Sequence, residues 1–230
     1  MIHQYIFAGP KPGLSAEAFQ SYWINFHAVD YAAKIPQISQ YLVSSRIHVE
    51  YSREVSFYEG VAEIWLKNDE EQLASMQSPE YILGARADEP KWAAFWQTFV
   101  HESDSSDEKN DDLKEFIKFY ILLKRKPGTT FDDFESTLRK NQTLLVEKLP
   151  KINGLELSFS RKKLYGFGEP KFDVIEVWSF DSSNDLNAAL KSDTLKRIEN
   201  NWQSLADERY IYTFCGKDNW IIPAVHKKIT

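Results

Sequence analysis

Lys11-Pro12-Gly13 recurs as Lys126-Pro127-Gly128, a shift of 115 residues. Phe19 falls on Phe134 at the same shift, and Ile35-Pro36 and Ile38 meet Leu149-Pro150 and Ile152 one residue closer. Further on, Glu63-Ile64-Trp65 recurs as Glu176-Val177-Trp178. Self-similarity of this kind means that two copies of one small fold stand in tandem. The copies differ at one telling position, where His27 falls on Gln142. An imidazole exchanges protons near neutrality and an amide does not, so chemistry is expected in the first copy.

Reading outward from the first Lys-Pro-Gly turn, residues 2–8 are rich in β-formers and apolar on both faces, which predicts a strand. Ser15 is placed to cap a helix in which Phe19, Tyr22, Trp23 and Phe26, with Ala33 beyond, follow at helical spacing. Residues 41–49 and 59–66 read as strands. Asn68 or Asp69 caps a second helix through Leu73 and Met76, and a helical stretch near 79–95 is interrupted by Pro90. Thr98 to Glu102 closes the copy as a strand. The second copy repeats the order, with strands from Phe116 to Leu123, around Leu155-Leu157-Phe159 and from Val174 to Phe180. Thr130 and Asp133 resemble a capping box, and a further helix is expected from about Asp181 to Leu190. The unit is β-α-β-β-α-β, the ferredoxin-like pattern, so the fold class is α+β. Helices on one side leave each sheet with a bare apolar face, and two such sheets in one chain can cover each other. Residues 1–102 and 113–230 are expected as the repeats, and the polar acidic stretch 103–112 as a solvated linker.

Composition narrows the function. An apolar fraction of 43% with 14% aromatics suffices for a core. The net charge is −6, and residues 1–105 hold 7 basic against 14 acidic side chains. Neither half is a basic footprint for nucleic acid, and no apolar run is long enough to span a membrane. A single cysteine, Cys215, rules out an internal disulfide framework and fits a reducing compartment. The start, Met1-Ile2-His3-Gln4-Tyr5, lacks a basic region followed by an apolar one, so a cytoplasmic protein is expected. No His/Cys spacing matches a metal site and no glycine-rich loop precedes a helix, so neither metal nor cofactor is expected.

Lys11-Pro12-Gly13-Leu14-Ser15 followed by Phe19, Tyr22-Trp23 and His27 resembles the EthD-like family of dimeric α/β-barrel proteins. Val61-Ala62-Glu63-Ile64-Trp65 and Ser78-Pro79-Glu80 add to the resemblance. The second copy departs from it at Leu138, where the first has Trp23, and at Gln142. The resemblance implies a single-chain version of a barrel usually made by two chains, with a cavity for small, often aromatic, molecules. Members of that fold include polyketide cyclases, cofactor-free monooxygenases and dehydratases, as well as accessory and haem-handling proteins. A homodimer of the whole chain is compatible with that family.

Several residues are candidates for chemistry. His27 shares the helix stripe of Phe19 and Trp23 and reads as a general acid or base, with a core histidine bonded to backbone as the alternative. Glu63 shares a strand face with Val61 and Trp65, away from the aliphatic Ala62, Ile64 and Leu66 that suit packing on helices. It reads equally as a group assisting a histidine or gripping a substrate hydroxyl, and as a structural carboxylate pairing with Arg46 or a lysine. Trp23, Trp65 and Tyr5 are candidate walls of an aromatic pocket, against a plain core role, and Arg46 is a candidate substrate contact. His3, His101 and His226 are expected to be peripheral, and Cys215 inert. The leading expectation is a cofactor-independent enzyme that moves a proton on a small aromatic or polyketide-like metabolite, of cyclase, dehydratase or monooxygenase type. The alternative is a non-catalytic binding or accessory protein for a hydrophobic small molecule, and a third reading is haem binding through His27.

Overall fold

The computed structural model describes residues 1–51, 57–105 and 114–222. Most of the expected linker and His226 lie outside them. Among the described residues, 1–46, 57–105, 114–115 and 218–222 form one compact unit, and 47–51 with 116–217 form the other.

In the first unit the strands are β1 (Ile2–Ala8), β2 (Ile38–Arg46), β3 (Gly60–Leu66) and β4 (Phe99–Asp104), ordered β4-β1-β3-β2. All neighbours are antiparallel, with Tyr5 opposite Glu63 on one side and His101 on the other. Helix α1 (Ala16–Tyr22) runs on without a break into π-helical turns over Trp23–Tyr31. Ser15 caps it through a hydrogen bond from the Ala18 amide at 3.2 Å. Helix α2 (Asp69–Gln77) is capped by Asn68, which accepts from the Glu71 amide at 2.9 Å. π-Helical turns over Glu80–Ala85 then lead into the short α3 (Arg86–Asp88), and Pro90 unwinds the chain into a tighter turn over Glu89–Lys91. A proline at this point removes an amide donor, so the regular helix stops at Asp88.

The core of this unit lies between the helices and one face of the sheet. Ile2, Ala8, Tyr41, Val43, Ala62, Ile64 and Leu66 pack there against Phe19, Trp23, Ala28, Ala85 and Trp92. Alternation in β3 therefore puts the aliphatic set on the helices, as the sequence predicts. Trp23 lies directly on Gly60, where an added Cβ would come within 2.7 Å of the indole ring. Gly60→Ala is expected to destabilise the unit by about 1–3 kcal/mol through overpacking, seen as a lower urea midpoint with an unchanged slope.

The second unit repeats the plan with β5 (Ile117–Arg125), α4 (Phe131–Val146), β6 (Gly154–Phe159), β7 (Val174–Phe180), α5 (Ser183–Leu190), α6 (Asp193–Leu205) and β8 (Ala206–Ile222). Its sheet order is β8-β5-β7-β6. Thr130 caps α4 through the Asp133 amide at 3.1 Å. The two Lys-Pro-Gly turns are the same structure, with φ of 87° at Gly13 and 86° at Gly128, a region open to glycine. Helix α6 and strand β8 were not foreseen from the sequence. The final residues of β8 belong to the first unit, where Asn219 donates to the Val43 carbonyl at 3.1 Å.

The repeat corrects one sequence match. Ile2 pairs with Leu66 and Ile117 pairs with Phe180, so β3 and β7 correspond at a shift of 114. Ala62 therefore matches Glu176, and Ile64 matches Trp178. The Glu-x-Trp likeness is one residue out of register, and such a slip reverses the faces of a strand. Glu176 and Trp178 lie on the helix side of their sheet, whereas Glu63 and Trp65 lie on the side away from the helices.

Candidate active site

The first unit contains a cavity of about 500 Å³ between its helices and its sheet. That is the size of an ordinary small-molecule site. Trp23, His27, Tyr41, Ile64, Trp92 and Glu102 are among its walls, and every lining residue belongs to this unit.

His27 reaches the cavity from the π-helical turns, where one extra residue per turn realigns the side chains of a helix. Its Nδ1 lies 3.0 Å from Asp88 Oδ2. Asp88 is buried, and its other oxygen accepts from Tyr22 Oη at 3.0 Å and from Lys91 Nζ at 3.0 Å. Burial pushes the Asp88 carboxyl up, but hydrogen bonds from Lys91, His27 and Tyr22 outweigh it and hold the group below the ordinary carboxylate range. Trp92 Nε1 also approaches His27 Nδ1, at 3.2 Å. That nitrogen cannot donate to Asp88 and accept from Trp92 together, and the ionised carboxylate favours donation. Burial lowers the pKa of His27 below its usual 6.5, outweighing the upward pull of Asp88. The imidazole is therefore neutral at neutral pH, with its proton on Nδ1 and a lone pair on Nε2. No described residue bonds to Nε2. Tyr41 accepts from Trp23 Nε1 at 3.1 Å, and burial raises its pKa, so it stays a neutral phenol in the cavity wall.

The residues singled out from sequence fall into three groups. His27 and Trp23 share the cavity with Tyr41 and Trp92. Glu63, Trp65 and Tyr5 lie on the far side of the sheet. There Glu63 Oε2 lies within hydrogen-bond distance of His3 Nε2, at 3.0 Å, and the His3 ring stacks on Trp65 at 4.1 Å. His3 and His101 are buried, not peripheral. Arg46 bonds Glu59 at 3.3 Å, away from the cavity lining. Asp88 went unnoticed in the sequence. Its signal was an acidic residue on an apolar stripe, since Ala85, Asp88 and Trp92 follow at spacings of three and four and all are buried.

The second unit holds a counterpart built of different side chains. Lys11 N bonds the Trp92 carbonyl and Lys126 N bonds the Leu205 carbonyl, each at 3.0 Å, which aligns Asp88 with Asn201. The pair His27–Asp88 is thus replaced by Gln142–Asn201, with Asn201 Nδ2 donating to Gln142 Oε1 at 2.8 Å. Glu176 sits beneath them and accepts from Gln142, from Trp178 Nε1 at 2.7 Å and from Trp202 Nε1 at 3.1 Å. The indoles of Trp178 and Trp202 stack beside it, 5.7 Å apart.

Among the described residues no group of three His, Cys, Asp or Glu side chains is arranged to hold a metal ion, and no helix is long and apolar enough to cross a membrane. Among curated proteins none matches the chain in sequence. Three solved structures are similar along nearly its whole length. An anthrone oxidase-like protein aligns at 10% identity with a TM-score of 0.63, covering 99% of this chain and 96% of its own. A monooxygenase candidate from Lactobacillus acidophilus NCFM aligns at 12% identity and a TM-score of 0.55, covering 95% and 94%. A variant of the chlorite dismutase from Candidatus Nitrospira defluvii aligns at 9% identity and 0.52, covering 96% and 92%. Likeness at such identity speaks for the fold, the tandem ferredoxin-like arrangement, and not for the reaction. The family model described as the EthD domain matches residues 11–95, the stretch that holds His27 and Asp88.

Proposed function

We propose that the first half is a cofactor-independent enzyme in which His27 removes a proton from a small aromatic or polyketide-like molecule. The observation that carries this reading is the His27–Asp88 pair in the wall of a cavity of about 500 Å³, with Nδ1 engaged and Nε2 not. Nε2 takes a proton from a carbon beside a carbonyl, or from a phenol. The C–H or O–H bond breaks, an N–H bond forms, and the electron pair stays on the substrate as an enolate or phenolate. Asp88 fixes the tautomer of the neutral imidazole and stabilises the imidazolium that forms. Trp92, Trp23 and Ile64 supply dry walls against which a flat ring can lie. Cyclisation, dehydration and, with dioxygen as co-reactant, oxygenation each start from such an anion. The names of two similar structures, one anthrone oxidase-like and one a monooxygenase candidate, accord with that chemistry.

Deuterium exchange into β-tetralone in deuterium oxide tests the reading, since this ketone has an acidic carbon beside its carbonyl. The wild-type chain is expected to accelerate exchange and His27→Gln to abolish the acceleration. The acceleration should be constant above neutrality and fall on the acid side as His27 becomes protonated, at a pH below 6.5. Equal exchange in both chains overturns the assignment.

A further inference from the structure

We infer that the cavity has a second pole at Glu102, which selects an elongated, largely apolar molecule bearing a hydroxyl group at the end remote from His27 and rejects one bearing a carboxylate there. The word substrate for that molecule rests on the proton-transfer reading, but the binding preference does not.

Glu102 lies on β4 and lines the cavity with Gln4 of β1 and Gln72 of α2. Gln4 Nε2 donates to Glu102 Oε1 at 2.8 Å, and Gln72 Nε2 donates to the same oxygen at 2.5 Å. Two amides from two different elements thus fix the carboxylate through one oxygen. The other oxygen, Oε2, has no hydrogen-bond partner among the described residues. Gln72 is buried and Glu102 half-buried, so this is a built seat and not a surface carboxylate. An ionised carboxylate oxygen accepts and cannot donate, so the complementary group is a donor such as a phenolic or alcoholic hydroxyl. A ligand carboxylate would meet like charge, and Arg86 in the cavity wall is already engaged by Glu89.

The length of the cavity follows from the strand. Trp92 is tied to Lys11 through the backbone and Ala93 bridges Pro10, so Trp92 stands at the Ala8 end of β1. The His27 ring is 4.6 Å from Trp92. Gln4 is four residues back along β1, roughly 13 Å at the strand rise. Ile6, with Ala62 and Val100 opposite it on the neighbouring strands, paves the interval with apolar surface. The cavity is thus matched to a molecule of two or three fused rings, with its acidic position at one end and a hydroxyl at the other.

Calorimetric titration of the full chain with β-naphthol, β-methoxynaphthalene and β-naphthoate tests this. A hydrogen bond to a charged acceptor predicts that wild type binds β-naphthol about tenfold or more tighter than its methyl ether. Glu102→Gln keeps the shape and removes the charge. It is expected to narrow that ratio and to tighten β-naphthoate about tenfold relative to β-naphthol. Glu102→Ala should narrow the hydroxyl-to-ether ratio as well. Ratios unchanged in both variants, or no binding by any of the three naphthalenes, overturn the inference. Because the readout is equilibrium binding, a failed exchange test with these ratios as expected removes only the catalytic reading. Normal exchange with unchanged ratios removes only the Glu102 pole.

Discussion

His27→Ala is expected to lower turnover by about 10²–10⁴-fold, the usual contribution of a positioned general base. The loss should fall on the rate, with binding of flat aromatic ligands changed far less, since Trp23, Trp92 and Tyr41 keep the walls in place. Asp88 retains Tyr22 and Lys91 after the substitution, so its charge stays paired and the melting temperature should move little. Asp88→Asn should also slow the reaction, because an amide turned to donate selects the wrong imidazole tautomer. The β-tetralone exchange rate, measured beside a thermal melt, separates these outcomes. A large drop in melting temperature with exchange preserved would place His27 among plain core residues.

Glu176→Ala is expected to cost several kcal/mol of stability. It strands three buried donors, on Gln142, Trp178 and Trp202, and each unsatisfied buried group costs about 1–3 kcal/mol. Wild type should also show a dependence on pH. Burial pushes the Glu176 carboxyl from 4.5 up to about 7, partly opposed by those three donors. Between these values the unfolded chain ionises while the folded chain holds its proton. Stability therefore falls as pH rises from 4.5 to about 7, by about 3 kcal/mol in all, and levels off above. Glu176→Gln should flatten that part of the profile in urea titrations. A profile of equal slope in wild type and Glu176→Gln would remove Glu176 as its source.

The elements that decide the fold were legible because their signals are local. Lys-Pro-Gly demands a turn with positive φ wherever it occurs, and both turns are alike. The stripe of Phe19, Trp23 and His27 is a helix-period pattern whose buried face the structure reproduces. What failed was what depends on counting across a loop. The Glu-x-Trp match looked like a repeat, yet one residue of register put Glu63 beside His3 instead of His27. Asp88 was hidden for a different reason. Its partner lies 61 positions earlier, and only the packing of the two helical segments brings the two together. Strand β8 went unread because its long course carries charged and polar residues among its apolar ones, including Asp207, Glu208 and Asp218.

The Gln142–Asn201 pair gives the chain an internal record of what its own architecture tolerates. The same seat, under the same turn, holds two amides resting on Glu176 in one half and a histidine with an aspartate in the other. A chain carrying His27→Gln with Asp88→Asn would put at this seat the two amides that the fold already accommodates in its other half. In a living cell such a chain is expected to keep the protein present and to silence the proposed reaction alone. Complementation with it would therefore tell whether an organism misses the molecule or the chemistry.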